Sequence, residues 1–343
     1  MRRYSKPLRM MLAILFCGPH WLAVAQSPPV EIRLATILPQ GLEQANRLVK
    51  LTQDWKQISG GGVIMTRSPS GPKDGEAGIV KKLRSGNYQA AVLSMVGLME
   101  IEPDVAVLQM MPLTFRNWAE LDHVREKLRP DLERKLAARG FVTLFWADSG
   151  WVSFFATREG RIPADFRKMK MFTWAGDNKQ VDLMKSMGYH PVALETDSIS
   201  TSFGTQMIDS APLSPAVALG WRIPTLAPYV LDVHWVPIVG AAIVKAETWN
   251  RIPPETQQKL LGLADRAGVE IRDEGRKLHE DSMQTLAKGP KTKVYTPTPE
   301  DMLRWEEFAL EIGPKIRGEI VPTLIYDTVQ KLLEEFRSKG AAK

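Results

Sequence analysis

The sequence predicts an α/β fold made of two units of mostly parallel sheet covered by helices. From residue 31 onward, apolar extended segments alternate with amphipathic helical ones, an order typical of such sheets. The alternation starts again after Gly140, which indicates a second unit. A helical pattern then runs from Pro254 to about Lys288, about 50 Å at 1.5 Å per residue, long enough to span two domains.

The first unit takes its elements in the order strand, helix, strand, helix, strand. The predicted strands are 31–36, 63–67 and 88–94. The helix between the first two strands ends at three glycines, and the next helix follows Asp74 and runs to about Arg84. A further helix over 120–138 completes the unit, and Gly140 supplies its left-handed cap.

The second unit has the same character but shorter elements. Its predicted strands are 141–146 continuing through 151–156, 170–173, 207–209, 229–236 and 240–245, and its predicted helices are 178–187 and 198–206. Beyond residue 254 the chain is predicted to be largely helical.

The N-terminus has the pattern of a cleaved secretory signal. A basic start is followed by the apolar run Met10–Ala25, which ends in Ala-Val-Ala. The alternative is an uncleaved anchor, but Gly18, Pro19 and His20 interrupt the run, leaving it shorter than the roughly 20 residues that span a bilayer. We expect residues 1–25 to be removed and the mature protein to lie in the periplasm.

The composition of the mature part excludes several classes. Cys17 is the only cysteine and lies in the signal, so the mature chain is expected to have no disulfide and no thiol ligand. Four of the 45 basic residues also lie there, which leaves 41 against 39 acidic residues, a net charge of +2. No basic run accompanies aromatic residues, so nucleic-acid binding is not expected. No later apolar stretch is long enough to span a membrane, which predicts a soluble mature protein.

Neither metal nor catalytic chemistry is indicated. The histidines after the signal are not spaced at i, i+4, as a helical zinc pair requires. They are His123, His190, His234 and His279. No Gly-x-Ser-x-Gly nucleophile elbow occurs. We therefore expect no metal, no cofactor and no enzymatic activity.

Several segments occur in the order found in one protein family. Ile162–Phe166 followed by Lys168–Gly176 is similar to the "Pro, acid, Leu, then Gly-Leu-Lys-Ile-Arg-Val-Pro-Gly" of TRAP-transporter solute receptors, the extracytoplasmic family called C4-dicarboxylate-binding or DctP-type. Six further segments resemble that family in register: Leu34–Gly41, Leu108–Arg116, Gly140–Gly150, Met187–Val192, Gly204–Asp209 and Trp249–Pro254.

The resemblance implies a periplasmic-binding-protein-like fold. Two αβ domains would enclose an interdomain cleft, and a long C-terminal helix would brace both domains. The predicted domains are 26–149 with about 238–275, and 150–237 with about 276–337. The implied function is a receptor that captures a small solute and delivers it to a TRAP-type membrane permease.

The chain departs from the family where a substrate carboxylate would be held. The family's central arginine is replaced by Phe172, and its second cleft arginine aligns with Val152. Neither residue can form the bidentate contact of a guanidinium. We predict that Phe172, Trp174 and Trp151 form an apolar or aromatic cleft wall, with packing in the core as the alternative.

Polar site candidates follow from position in the predicted sheets. Gln40 lies in the loop after the first strand and Ser94 at the end of the third, where α/β sheets expose ligand groups. Ser210 follows Asp209 where the family has Gly-Gln-Glu-Asn, and with Ser214 it could donate to a neutral oxygen. The predicted ligand is thus neutral, aromatic or otherwise not held by an arginine–carboxylate pair.

Other interpretations stay open at this point. Arg158, Arg161 or Arg222 could reach the cleft from another direction, which would restore acid binding. The protein could instead present its ligand to a receptor kinase as a sensory module, or be an enzyme on a binding-protein fold. Permease genes beside its own would favour transport, a lone kinase gene would favour sensing, and turnover of a bound ligand would favour an enzyme.

Overall fold

The structure, a computed structural model, describes residues 28–36, 38, 42–68, 75–175, 178–195 and 198–341. Three features predicted from the sequence lie outside these ranges: the signal peptide over residues 1–25, the ligand residue Gln40 and the start of a helix at Asp74.

The strands occur along the whole described chain. They are β1 Val30–Thr36, β2 Val63–Arg67, β3 Ala90–Ser94, β4 Phe141–Trp151, β5 Ser153–Ala156, β6 Lys170–Trp174, β7 His190–Leu194, β8 Ser210–Leu213, β9 Tyr229–Leu231, β10 Pro237–Lys245 and β11 Lys293–Tyr295.

The helices alternate with these strands and then dominate the C-terminal part. They are α1 Glu43–Ile58, α2 Gly75–Arg84, α3 Met95–Met99, α4 Trp118–Ala138, α5 Pro163–Phe166, α6 Asn178–Ser186, α7 Ile199–Gly204, α8 Pro215–Gly220, α9 Ala246–Trp249, α10 Pro254–Lys288, α11 Pro299–Ile316 and α12 Thr323–Ala341.

The predicted fold class is confirmed by two mixed sheets. The first has the strand order β2-β1-β3-β10-β4, and the second has the order β11-β9-β5-β8-β6-β7. In the first sheet β1 is parallel to β2 and β3, whereas β10 is antiparallel to β3 and β4. β10 therefore returns from the second sheet to the first. The predicted domain boundaries stay a prediction. Across them, α12 of the predicted second domain packs against α4 of the first, and Arg337 donates to Glu120.

Helices cover both faces of each sheet. Leu48 and Trp55 of α1 and Leu260 of α10 bury one face of the first sheet. The other face belongs to a buried cluster that continues under α11 of the second sheet, where Trp305 is 1% exposed. A third cluster, which includes Phe172, fills the space between the second sheet and α7 and α8.

The long helix α10 lies against β4 at two glycines. A Cβ on Gly268 would come within 2.5 Å of Phe145 Cβ, and one on Gly275 within 2.4 Å of the Asp148 carbonyl oxygen. The two glycines are seven residues apart and share one face of the helix. The predicted helix over Pro254–Lys288 is confirmed, and its contact with β4 needs positions that have no side chain.

One predicted strand is wrong in position. Residues 207–209 were predicted to be extended, but β8 begins only at Ser210. The Met207 and Ile208 amides donate to the Ser202 carbonyl oxygen at 2.8 and 3.3 Å, which closes the turn after α7. Pro212 lies within β8. A proline has no backbone N–H to donate to a neighbouring strand. β8 accommodates it because the described pairing of β6 with β8 is a single pair, Met171 with Ser210, which does not include Pro212.

Candidate functional site

Strand directions bring the carboxyl ends of both sheets to one junction. In the first sheet β4 runs parallel to β1, β2 and β3, because β3 and β4 are both antiparallel to β10. In the second sheet β5 is antiparallel to β8 and β9, and the other pairings are parallel, so every strand except β5 runs in one direction. Since β4 leads into β5 through Val152, the carboxyl ends of the two sheets face each other. Ligands of α/β sheets bind at such ends. We call this junction the cleft.

Two crossing segments form the floor of the cleft. One is Trp151–Ser153, and the other is 232–236, between β9 and β10. They are bonded to each other, because the Val152 amide donates to the Val236 carbonyl at 2.9 Å and the Trp235 amide donates to the Val152 carbonyl at 3.1 Å. Helix α10 passes beside them, with His279 Nδ1 3.4 Å from the Trp151 amide.

The first wall of the cleft contains Ser94, whose hydroxyl is already in use. The Ser94 hydroxyl donates to Glu76 Oε1 at 2.6 Å and accepts from the Val96 amide at 3.2 Å. Glu76 Oε2 accepts from the amides of Ser94 and Gly97, at 2.8 and 3.1 Å. Burial raises the pKa of Glu76, although the bonds from Ser94 and Gly97 oppose the rise. Ser94 therefore lies at the cleft, but an internal carboxylate holds its donor.

Arg67 is a basic residue of this wall that the sequence argument did not consider. It ends β2 and donates from Nη2 to the Leu38 carbonyl at 3.3 Å, so it holds the start of the loop that contains Gln40. Its Nε is buried without a hydrogen-bond partner. A cation at the carboxyl end of a strand was visible in the sequence, but its contact with the loop after β1 was not.

The second wall contains Phe172 and Trp174 in contact. Their rings meet edge to face with centroids 4.8 Å apart. Phe172 is only 1% exposed and belongs to the buried cluster under α7 and α8, whereas Trp174, at the end of β6, is 36% exposed. The aromatic surface open to solvent at this wall is therefore that of Trp174, with Phe172 behind it.

Trp151 belongs to the floor. It is 2% exposed and stacks on His234, with ring centroids 5.1 Å apart and planes 11° apart, and Trp118 covers it at 4.6 Å. Its exposed surface is too small for a large ligand contact in this conformation. Its ring fixes the position of His234 in the neighbouring crossing segment.

Ser210 lies apart from the other candidates. It is the first residue of β8 and is fully buried, and its hydroxyl has no hydrogen-bond partner. The carboxyl end of β8 is followed instead by Ser214, whose hydroxyl caps α8 by accepting from the Val217 amide at 3.3 Å. Of the predicted residues that the structure describes, Ser94, Trp151, Phe172 and Trp174 surround the cleft, and Ser210 lies at the far end of its strand.

The three arginines considered as replacements have other contacts. Arg158 donates to the Lys168 carbonyl. Arg161 pairs with Glu159 and lies over the Tyr295 ring at 4.4 Å. Arg222 is exposed, with a left-handed φ of 57° at the end of α8. No contact of these residues with the cleft walls supports a replacement clamp.

An open groove of about 600 Å³ lies elsewhere, between α1 and α10. It is lined mainly by polar and charged side chains such as Arg47, Asp54 and Arg266, and it runs along the helices rather than at strand ends. Among the described residues, no group of three or more His, Cys, Asp or Glu side chains is placed to hold a metal ion. No helix in the same part of the chain is long and apolar enough to cross a membrane.

The sequence profile of one family, "Bacterial extracellular solute-binding protein, family 7" (DctP), matches residues 34–316. The chain belongs to this family.

Solved structures of TRAP periplasmic solute-binding proteins share the fold. One from Ralstonia eutropha, with bound (S)-2-acetolactate, superposes with a TM-score of 0.80 at 16% identity over 89% of this chain and 99% of its own. A Bordetella pertussis extracytoplasmic solute receptor binding pyroglutamic acid gives 0.76 at 15% identity over 90% and 99%. An uncharacterized Salmonella typhimurium protein, YiiZ, is 23% identical over 225 residues, 64% of this chain and 68% of its own.

In this family 7 protein, the titratable side chains at the floor of the cleft were not predicted from the sequence. Asp232 follows β9, and its carboxylate lies 3.6 Å from His234 Nε2. Burial raises the pKa of Asp232, while His234 and the hydroxyl of Ser153 lower it. His234 has a left-handed φ of 48°. The pKa of His279 is lowered to about 4, by burial first and by the charge of His234 second. The pairing of β5 with β9 places Ser153 beside Asp232, and the passage of α10 along the floor brings His279 to His234.

Proposed function

We propose that this family 7 receptor lies in the periplasm and captures a solute that is not bound through an arginine–carboxylate pair. It then delivers the solute to a TRAP-type membrane permease. The observation that carries the proposal is the character of the two family arginine positions. Val152 lies in the floor and Phe172 behind the second wall, and neither offers a donor. The exposed group beside Phe172 is the ring of Trp174, a suitable face for an apolar or aromatic body.

The first wall supports the same proposal. A small acid would need free donors there, but the Ser94 hydroxyl and the amides of Ser94 and Gly97 already bond to Glu76. The remaining donor of this wall is Arg67, whose Nη2 bonds to the Leu38 carbonyl and whose Nε has no partner. An added carboxylate would meet a buried acid in place of open amides. The related structures bind acetolactate and pyroglutamic acid, so the proposed solute differs in its head group from theirs.

A thermal-shift screen of the mature protein tests the proposal. Two panels are compared, organic acids against neutral and aromatic compounds. A ligand at about 100 times its Kd adds about 2.7 kcal/mol, a shift of several degrees. We expect hits in the second panel. Hits confined to small acids would contradict the proposal.

Two matched variants locate the binding surface. Trp174→Ala removes the exposed ring of the second wall and should weaken the best hit at least tenfold without lowering Tm. Met207→Ala removes a side chain that is 51% exposed in the turn before β8, away from the cleft, and should leave affinity unchanged. Equal effects of the two variants would argue against the cleft. The delivery step is tested by solute uptake into membrane vesicles that contain a TRAP permease encoded beside the receptor gene, measured with and without the receptor.

A further inference from the structure

Two acids at the junction of the sheets, the buried Asp148 and the half-buried Asp232, are in opposite situations. Asp148, near the end of β4, accepts from Arg276 Nε at 2.8 Å, Arg276 Nη2 at 2.7 Å and Arg125 Nη1 at 3.1 Å. Asp232, at the end of β9, has a buried Oδ1 without a hydrogen-bond partner. A carboxylate oxygen left unpaired and buried costs about 1–3 kcal/mol or more. Asp232 therefore has an unfilled requirement for a donor, whereas Asp148 does not.

The neighbours of Asp232 do not fill this requirement. Phe154 of β5 pairs with Leu231 of β9, which places Ser153 next to Asp232. The Ser153 side chain is fully buried, and its hydroxyl points to the carboxylate closely enough to lower the pKa of Asp232 by a weak hydrogen bond, but the contact does not reach normal hydrogen-bond geometry. His234 Nε2, at 3.6 Å, is at an ion-pair distance and too far for a hydrogen bond.

The backbone at this point is also held in a costly conformation. His234 has a φ of 48°, which costs a residue with a side chain of order 1–3 kcal/mol. The surrounding contacts impose it, since the Trp235 amide bonds to Val152 and the Trp151 ring stacks on the imidazole. Strain of this kind concentrates at ligand-binding sites. The strain and the unpaired carboxylate occur within three residues of each other.

The polar groups of the cleft are therefore uneven. In the first wall, the Ser94 and Gly97 donors are used by Glu76 and Arg67 Nε is unpaired, while in the floor Asp232 Oδ1 and the Ser153 hydroxyl are unpaired. We propose that Asp232, with Ser153, anchors a hydrogen-bond-donating head group of the solute, an ammonium above all, whose apolar body lies against Trp174. An ammonium carries three donors and no acceptor, which matches the unfilled groups. Its charge is also attracted to the face of a tryptophan. This inference rests on the proposed function, because it takes the cleft as the solute site.

The sign of one stability change tests the role of Asp232 without any ligand. Asp232→Asn removes a charge whose Oδ1 is buried without a hydrogen bond and keeps the shape, so we expect Tm to rise by about 2–4 °C. The matched control Asp148→Asn removes a fully paired charge and should lower Tm. A fall in Tm for Asp232→Asn, matched by a similar fall for His234→Gln, would mean that the two residues form a structural pair, and would overturn the proposal.

Three probes that share one body test the head group. They are phenethylamine, 2-phenylethanol and 3-phenylpropanoate, each titrated into the wild-type protein and Asp232→Asn. We expect phenethylamine to bind the wild type most tightly, and at least tenfold more weakly in the variant. Binding of the amine no tighter than that of the other two overturns the inference. Preference for 2-phenylethanol would leave the proposed function standing, whereas preference for the acid would contradict both.

Discussion

The two sides of the cleft treat buried polar groups differently. On the first-sheet side, the Asp148 carboxylate accepts hydrogen bonds from both Arg125 and Arg276. On the second-sheet side, the hydroxyls of Ser153 and Thr173 and one oxygen of Asp232 are buried without partners. Buried polar groups in folded proteins are nearly always hydrogen-bonded, so a group of exceptions needs a reason. The contrast is between two clusters: the Asp148 network is complete, whereas the group around Asp232 retains capacity for a partner. Unpaired atoms also occur on the first-sheet side, at Arg67 Nε and the Thr143 hydroxyl.

The strongest test of this comparison breaks the Asp148 network. Asp148→Asn removes the buried one of the two carboxylates that Arg125 and Arg276 share, and leaves them only the partly exposed Asp122. Breaking a buried ion pair by removing one partner costs about 3–5 kcal/mol. We expect the free energy of unfolding, measured by urea denaturation, to fall by about that amount.

A control for this variant lies on α10, the helix that carries Arg276. Asp281 pairs with Lys277 at 2.6 Å on the exposed face of α10. Asp281→Asn should leave the free energy of unfolding unchanged, because exposed pairs contribute little. Similar losses in the two variants would mean that burial of the Asp148 network does not matter.

The pH dependence of stability probes the point where α10 passes the floor. The pKa of His279 is lowered to about 4, first by burial and then by the charge of His234, whereas a histidine in the unfolded chain titrates near 6.5. The unfolded chain therefore takes up the proton first as the pH falls. The stabilisation is complete above about pH 6.5 and is lost as the pH falls toward 4, by about 2–3 kcal/mol.

Replacing this histidine should flatten that part of the stability profile. We expect His279→Gln to lose less stability between pH 6.5 and 4 than the wild type does, as followed by thermal unfolding at a series of pH values. His190 on β7 is exposed, and His190→Gln is the matched control. A slope that is the same in His279→Gln and in the wild type would contradict the assignment.

A smaller effect sharpens the comparison at the contact of α10 with β4. A Cβ on Gly275 would lie 2.4 Å from the Asp148 carbonyl oxygen and 2.6 Å from Gln44 Nε2, and the carbonyl oxygen cannot move freely. Gly275→Ala should therefore cost about 1–3 kcal/mol, as overpacking does. Gly262, on the same helix, has no atom nearer than 4.0 Å to such a Cβ, so Gly262→Ala should stabilise by about 0.5–1 kcal/mol. Denaturation midpoints of the two variants should shift in opposite directions.

The sequence predicted the elements whose signals are local. The alternation of strands and helices gave the fold class, and the pattern from Pro254 to Lys288 gave the bounds of α10. Gly140, with a φ of 85°, ends α4 as expected. The strand predicted over 207–209 begins only at Ser210, because the Met207 and Ile208 amides close the turn after α7 on the Ser202 carbonyl. Tertiary context decided that case.

The candidate site was less predictable, because its contacts join distant segments. Glu76 and Ser94 are 18 residues apart, and no sequence pattern indicates that the first holds the hydroxyl of the second. Asp232 and Ser153 become neighbours only through the pairing of β5 with β9. The aromatic pair Phe172 and Trp174 was predictable, since residues two apart on a strand share a face. Which of the two rings is exposed depends on the helices packed behind them.

The paired crossing segments have a mechanical consequence. Val152 is bonded on both sides to 235–236, and the Trp235 carbonyl in turn accepts from the Leu113 amide at 2.8 Å. The two crossings therefore form a single ribbon, which bends easily across its plane but resists shear along its length. We therefore expect closure of the cleft to be a rotation of the two sheets about a single hinge axis through this ribbon. Substitutions in the ribbon should change how fast the cleft closes before they change what it holds.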